Sequence, residues 1–209
     1  MGKVSQAELV AGAIAREAVS FPTDTVPALA IKPEYGQRIY QLKQRATHKP
    51  LILMGASITD LLPFVTYTPD QFKVWQKLIK KYWPGALTLV LPASKLVPAV
   101  INSNNTNTVG IRVPNHPLAL QILGQTGVLA TTSANISGTE ALTNTDDIAQ
   151  TFPDVLVLET NNLEEKNGKN NLSSGLPSTV VGWQDDRWQV FRQGSIAIES
   201  ISNTNYDLC

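Results

Sequence analysis

Apolar residues recur at helical spacing over residues 6–18, where Leu9, Val10, Ala13, Ile14 and Ala18 share one side of the chain. The following AVSF predicts a short strand that ends in the polar turn PTDT, residues 22–25. Residues 34–43 predict a second helix with Ile39 and Leu42 facing inward. LILMG, residues 51–55, predicts a buried strand, and Ser57 with Asp60 three positions on predicts a capped short helix. Residues 71–82, QFKVWQKLIKKY, put Phe72, Trp75, Leu78, Ile79 and Tyr82 on one face and most lysines on the other, and WPG stops that helix. Beyond it the period shortens. ALTLVLPAS, VGIRVP, VLATTSA and VLVLE predict strands, with a short helix near 117–123. STVVGW and RWQVFR, joined by QDD, predict a terminal hairpin.

Strands that alternate with helices, yet include hairpin-like connections, imply an α/β protein with a mixed sheet. A length of 209 residues with 43% hydrophobic content fits one domain over 1–209. Two polar stretches interrupt the pattern: NSNNTNT at 102–108, and an Asn-, Gly- and Ser-rich loop at 161–177 that reads as a lid or a disordered insert. A short tail, 199–209, follows the last patterned segment.

Charge removes some functions. Lys plus Arg and Asp plus Glu both count 17, so the net charge is zero and no bulk polyanion binder is expected. The single cysteine, Cys209, forms neither an intrachain disulfide nor a cysteine metal site. No run of 18 apolar residues predicts a membrane span, and the expected location is the cytoplasm. Neither G-x-x-x-x-G-K-[ST], G-x-G-x-x-G nor H-E-x-x-H occurs.

What remains is a set of polar clusters beside strands. They hold Thr23 and Thr25; Lys43, Arg45 and His48; Arg112; Ser133 and Asn135; Ser178; and Arg192. Each has a plain structural reading. PTDT is a turn with a cap, and cations at 43 and 45 offset the carbonyls at a helix end. Arg112 lies between Ile111 and Val113, so it points to the face opposite theirs. If both faces are covered it needs an anion partner, which a structural Asp or Glu would satisfy. The same holds for Arg192. If the clusters converge, their cations and small hydroxyls make a cavity suited to phosphates and carboxylates.

FPTDTVPALA, LKQRATHKPLIL, YWPGALTLVLPA, VGIRVPNHP, TTSANISG, PSTVV and VFRQGSI follow one another in an order that resembles the YrdC-like family, over about residues 6–198. The resemblance implies a twisted open mixed sheet flanked by helices around a large basic cavity. It implies synthesis of L-threonylcarbamoyladenylate from L-threonine, bicarbonate and ATP, with Mg²⁺ carried by the ATP and no protein metal site. This is the first step of tRNA threonylcarbamoyladenosine formation, and later transfer proteins would be partners. Matched motif by motif, Lys43 and Arg45 are implied as catalytic ATP ligands, joined on the nucleotide by Ser133, Asn135 and Arg192. Thr23, Thr25, His48, Arg112 and Ser178 are implied to hold threonine and bicarbonate. The chain departs from the family pattern at Pro27 and Ala28, where Tyr-Gly is common, and at Gly182, where Asp usually follows STVV.

Two other readings stand beside this one. The same cavity could grip tRNA or another structured RNA without catalysis. Similar domains also occur inside hydrogenase-maturation carbamoyltransferases, which are much longer chains.

Overall fold

In the computed structural model, residues 2–102, 106–160 and 173–197 are described. In chain order they form β1 (Lys3–Val4), α1 (Gln6–Ile14), β2 (Val19–Phe21), β3 (Ala28–Ile31), α2 (Gln37–Leu42), β4 (Ile52–Met54), α3 (Ile58–Leu61) and α4 (Pro69–Tyr82). Then come β5 (Leu87–Pro92), β6 (Thr108–Arg112), α5 (Pro117–Thr126), β7 (Leu129–Ser133), α6 (Thr145–Thr151), β8 (Leu156–Leu158), β9 (Thr179–Gln184) and β10 (Arg187–Arg192). Short 3₁₀ turns cover Pro33–Tyr35 and Leu62–Phe64.

Helices begin where side chains satisfy the free N–H groups of the first turn. Ser5 with Glu8, Ser57 with Asp60, and Thr68 with Gln71 form reciprocal capping boxes on α1, α3 and α4. The first helix is shorter than its apolar spacing predicts. It ends at Ile14, and Arg16 takes a φ of 76°, which turns the chain toward β2. The predicted helix over 34–43 divides into the 3₁₀ turn and α2.

The strands make one ten-stranded sheet in the order β1-β8-β2-β3-β7-β4-β6-β5-β9-β10. It is mixed, as expected. The pairs β4–β6 and β5–β9 are parallel, while β3–β7, β4–β7 and β5–β6 are antiparallel. The terminal hairpin β9–β10 is antiparallel.

Alternation of side chains gives the sheet two different faces. On one face Leu87, Leu89 and Leu91 of β5 and Val109 and Ile111 of β6 pack with Ile39 of α2 and Trp75, Leu78 and Ile79 of α4. Each such fully buried side chain contributes roughly 1.5–3 kcal/mol of transfer free energy. The opposite face is covered over only part of its width. There Phe21, Ala30 and Leu156 pack with Leu9 and Ala13 of α1 and Ile122 and Leu123 of α5. Toward β4, β6, β5 and β9 the same face is open, and its inward positions mix polar or small residues, Thr88, Thr108, Gly110, Thr131 and Ser133, with apolar ones, Ile52, Met54, Val90 and Val180. The main cavity described below lies on this open half.

Candidate functional site

The cavity has a volume of about 610 Å³, within the range of small-molecule sites. Of the residues predicted from sequence, Thr23, Thr25, Arg45, His48, Arg112, Ser133, Ser178 and Arg192 line it. Segments up to about 170 positions apart in sequence therefore meet. Lys49 lines it as well, and among the described residues no Asp or Glu does.

Arg112 sits at the end of β6, opposite in facing to Ile111, with 3% of its surface exposed. Its Nη2 donates to Asp24 Oδ1 at 2.6 Å, its Nη1 to Thr25 Oγ1 at 2.8 Å, and its Nε to Gly85 O at 3.0 Å. The structural alternative for this arginine thus holds. It pairs with an internal carboxylate, Asp24. The ion pair is buried on both sides, so each partner offsets the other's desolvation. A guanidinium has five N–H donors, and three are used here. Burial pushes Arg112 below its ordinary pKa, Asp24 opposes that push, and repulsion from Arg192 adds to it.

Arg45 and Arg192 are held differently. Arg45 donates to the carbonyls of Lys49 and Pro50 at 3.1 and 3.2 Å. Arg192 donates to Ser178 O at 3.2 and 2.9 Å and to Ser178 Oγ at 3.3 Å. Among the described residues their hydrogen-bond partners are neutral oxygens, and no salt bridge is formed by either. Burial lowers the pKa of each; at Arg45, Tyr40 opposes that push and Arg192 adds to it. Repulsion from Arg192 is thus felt at both Arg45 and Arg112, as expected for three guanidinium groups gathered around one space. Arg192 was expected inside an apolar strand. It lies instead at the end of the sheet's outer strand, where Val190 and Phe191 are also exposed.

The hydroxyls of the cavity wall form short relays. Thr23 Oγ1 and Thr25 Oγ1 are 3.0 Å apart, and Thr23 Oγ1 donates to Val26 O at 2.7 Å. Thr88 Oγ1 and Ser178 Oγ are 2.8 Å apart. From the polar loop, Ser174 N donates to Asp24 O and Gly175 N to Thr25 O, both at 3.0 Å. Residues 161–172 of that loop, NSNNTNT positions 103–105 and the tail from 198 lie outside the described residues.

Lys43 and Asn135 do not line the cavity. Lys43 follows α2 and is 1% exposed. Its Nζ donates to Ser133 O, to Asn135 O at 2.6 Å and to Asn135 Oδ1 at 2.9 Å. Ser133 Oγ donates to the same Oδ1 at 2.6 Å, and Asn135 Nδ2 donates to Ile136 O and Thr139 O. Lys43, expected as a phosphate ligand, is here a buried strut under the SANISG turn, where three protein oxygens accept from its ammonium. Burial lowers its pKa to about 7, with Arg45 adding repulsion.

That shift makes a prediction. Between about pH 7 and the ordinary lysine value, the unfolded chain holds a proton at this site that the folded chain does not, and the neutral amine then keeps two N–H donors for its three oxygens. Stability then rises with pH across this window and is flat with respect to Lys43 below it. The slope is at most about 1.4 kcal/mol per pH unit. Urea unfolding at pH 7 and pH 9 should show the gain in the native chain and lose it in Lys43→Met. Equal pH dependence in both would contradict the assignment.

Sequence reasoning missed Asp24, although it sits inside the quoted PTDT, because its partner Arg112 is 88 positions away. Thr88 was detectable: in LTLVLP it occupies the face opposite Leu87 and Leu89. Among the described residues no group of His, Cys, Asp and Glu could hold a metal ion, and no helix is long and apolar enough to cross a membrane.

The profile of the Sua5–YciO–YrdC family, described as "Telomere recombination", matches residues 14–194. A threonylcarbamoyl-AMP synthase of Bacillus subtilis is 35% identical over 191 residues, covering 88% of this chain and 52% of that protein. One from Pyrococcus abyssi is 33% identical over 187 residues, again covering 88% and 52%. The chain thus spans about half the length of these two relatives. The crystal structure of P. abyssi Sua5 complexed with L-threonine superposes with a TM-score of 0.80 at 28% identity, covering 96% of this chain and 58% of that one.

Proposed function

This chain belongs to the Sua5–YciO–YrdC family, and on that premise we propose that it makes threonylcarbamoyl-adenylate from L-threonine, bicarbonate and ATP. The observation that carries the proposal is the charge arrangement. Arg45, Arg112 and Arg192 converge on one cavity with a single carboxylate, Asp24, among their hydrogen-bond partners, over a floor of threonine and serine hydroxyls. The net positive charge left over suits a triphosphate and a carboxylate held together.

The reaction needs no protein nucleophile. The threonine amine adds to CO₂ derived from bicarbonate, with loss of a proton, to form a carbamate. A carbamate oxygen then attacks the α-phosphorus of ATP; the bond from that phosphorus to the bridging oxygen breaks, and pyrophosphate leaves with the electron pair. The protein's contribution is to hold the anions in line and offset charge at phosphorus. Arg45 and Arg192, without a carboxylate partner among the described residues, are assigned to the phosphates, with Lys49 beside them. Arg112, fixed by Asp24, Thr25 and Gly85, offers its remaining N–H groups to the threonine carboxylate or bicarbonate. Thr23, Thr25 and Ser178 supply hydroxyls for threonine, His48 stands at the rim, and Ser133 faces the nucleotide. Asn135 and Lys43 hold Ser133 in place. Mg²⁺, if bound, would be held by the phosphates and would offset their charge, since among the described residues no carboxylate lines the cavity and Asp24 is committed to Arg112. The product is a mixed anhydride, an activated donor for transfer to tRNA.

Incubation with ATP, L-threonine and bicarbonate should release pyrophosphate only when all three are present, and mass spectrometry should detect the adenylate. A chain that binds structured RNA yet releases no pyrophosphate under these conditions would be the RNA-binding module instead.

A further inference from the structure

The strand β10 is the outer strand of the sheet, and its pairing with β9 slips near its end. Val190 pairs with Val181, but Arg192 pairs with Val180, which leaves Phe191 as the extra residue. A bulge of this kind re-aims a side chain. Here it turns two consecutive residues, Phe191 and Arg192, into the cavity wall. Consecutive strand residues would otherwise point to opposite faces.

Phe191 has a seat. Its ring lies against Gly182 of β9, where an added Cβ would stand 2.3 Å from the ring Cζ and 2.4 Å from Cε2. Any side chain at 182 would push the ring away. Gly182 shares its face of β9 with Val180 and Gln184, which also line the cavity. Although one side of the ring is backed by the glycine, Phe191 remains 47% exposed. A flat apolar face therefore stands in the cavity wall beside the Arg192 guanidinium. Threonine and bicarbonate offer nothing planar and apolar to such a face, whereas a nucleobase does.

We propose that Phe191, seated on Gly182, is the stacking platform for the base of the nucleotide, with Arg192 next to it on the phosphates. This rests on the nucleotide chemistry proposed above. Every base has a π-face, so the platform adds affinity for nucleobases in general and leaves the choice among them to other contacts.

Calorimetric titration of ATP and of inorganic triphosphate tests the proposal. Phe191→Ala is expected to weaken ATP about tenfold and leave triphosphate unchanged. Gly182→Ala, which displaces the ring without removing it, is expected to do the same, and Phe191→Tyr to bind ATP like the native chain. An unchanged ATP affinity in Phe191→Ala, or equal losses for ATP and triphosphate, would overturn the platform. Native protein that binds triphosphate as tightly as ATP would sink the platform alone. Native protein that binds neither would sink the nucleotide reading along with it.

Discussion

Replacing Arg45 or Arg192 by alanine is expected to lower pyrophosphate release by about two to three orders of magnitude, the range seen when a preorganised electrostatic donor is removed from a reacting centre. Both side chains line the cavity, and among the described residues both are braced by neutral oxygens. On the proposed assignment their positive charge would serve the triphosphate, and alanine supplies none. Lysine at either position should recover part of the rate, because it restores charge without the planar fork that the carbonyl braces orient. The folded state should be little affected, since these braces lie in partly exposed surroundings. Single-turnover measurements with saturating threonine and bicarbonate, paired with thermal melts, separate the two effects. If both alanine variants kept native rates, the phosphate assignment would be lost.

Arg112 should behave in the opposite manner, as a residue of the fold first. Arg112→Met is expected to destabilise the protein by about 3–5 kcal/mol, because it strands the Asp24 carboxylate without its partner in a buried position. Asp24→Asn should cost less, as the amide still accepts one hydrogen bond and the remaining arginine charge has an outlet in the cavity. The double variant, Asp24→Asn with Arg112→Met, should be less damaging than the sum of the singles, since no lone charge remains. Urea unfolding of the four proteins measures the coupling. Strict additivity would mean that the pair is not a buried unit.

Much of this arrangement could be read from the chain, and the failures have identifiable causes. The strand β5 announces itself because Leu87, Leu89 and Leu91 alternate with smaller or polar residues. In contrast, β3 was overlooked. All four residues of Ala28–Ile31 are buried, so no alternation marks it, and it follows a turn whose polar residues dominate the local pattern. The helix α6 was overlooked because Ile148 is its one buried side chain and the rest of TDDIAQT reads as loop. Two-residue β1 is too short for any period to show. In the site, residue types were legible and partnerships were not. Lys43 and Arg45 look alike beside the end of α2, yet one is sunk beneath the SANISG turn and the other faces the cavity. That difference depends on contacts with residues more than 90 positions away.

The half-covered sheet face has an evolutionary corollary. Along β5 the positions that secure folding, Leu87, Leu89 and Leu91, alternate with Thr88 and Val90, which line the cavity, so a change at the cavity positions leaves the leucine layer in place. Relatives of this chain could drift in substrate preference through such exchanges while the scaffold beneath stays constant.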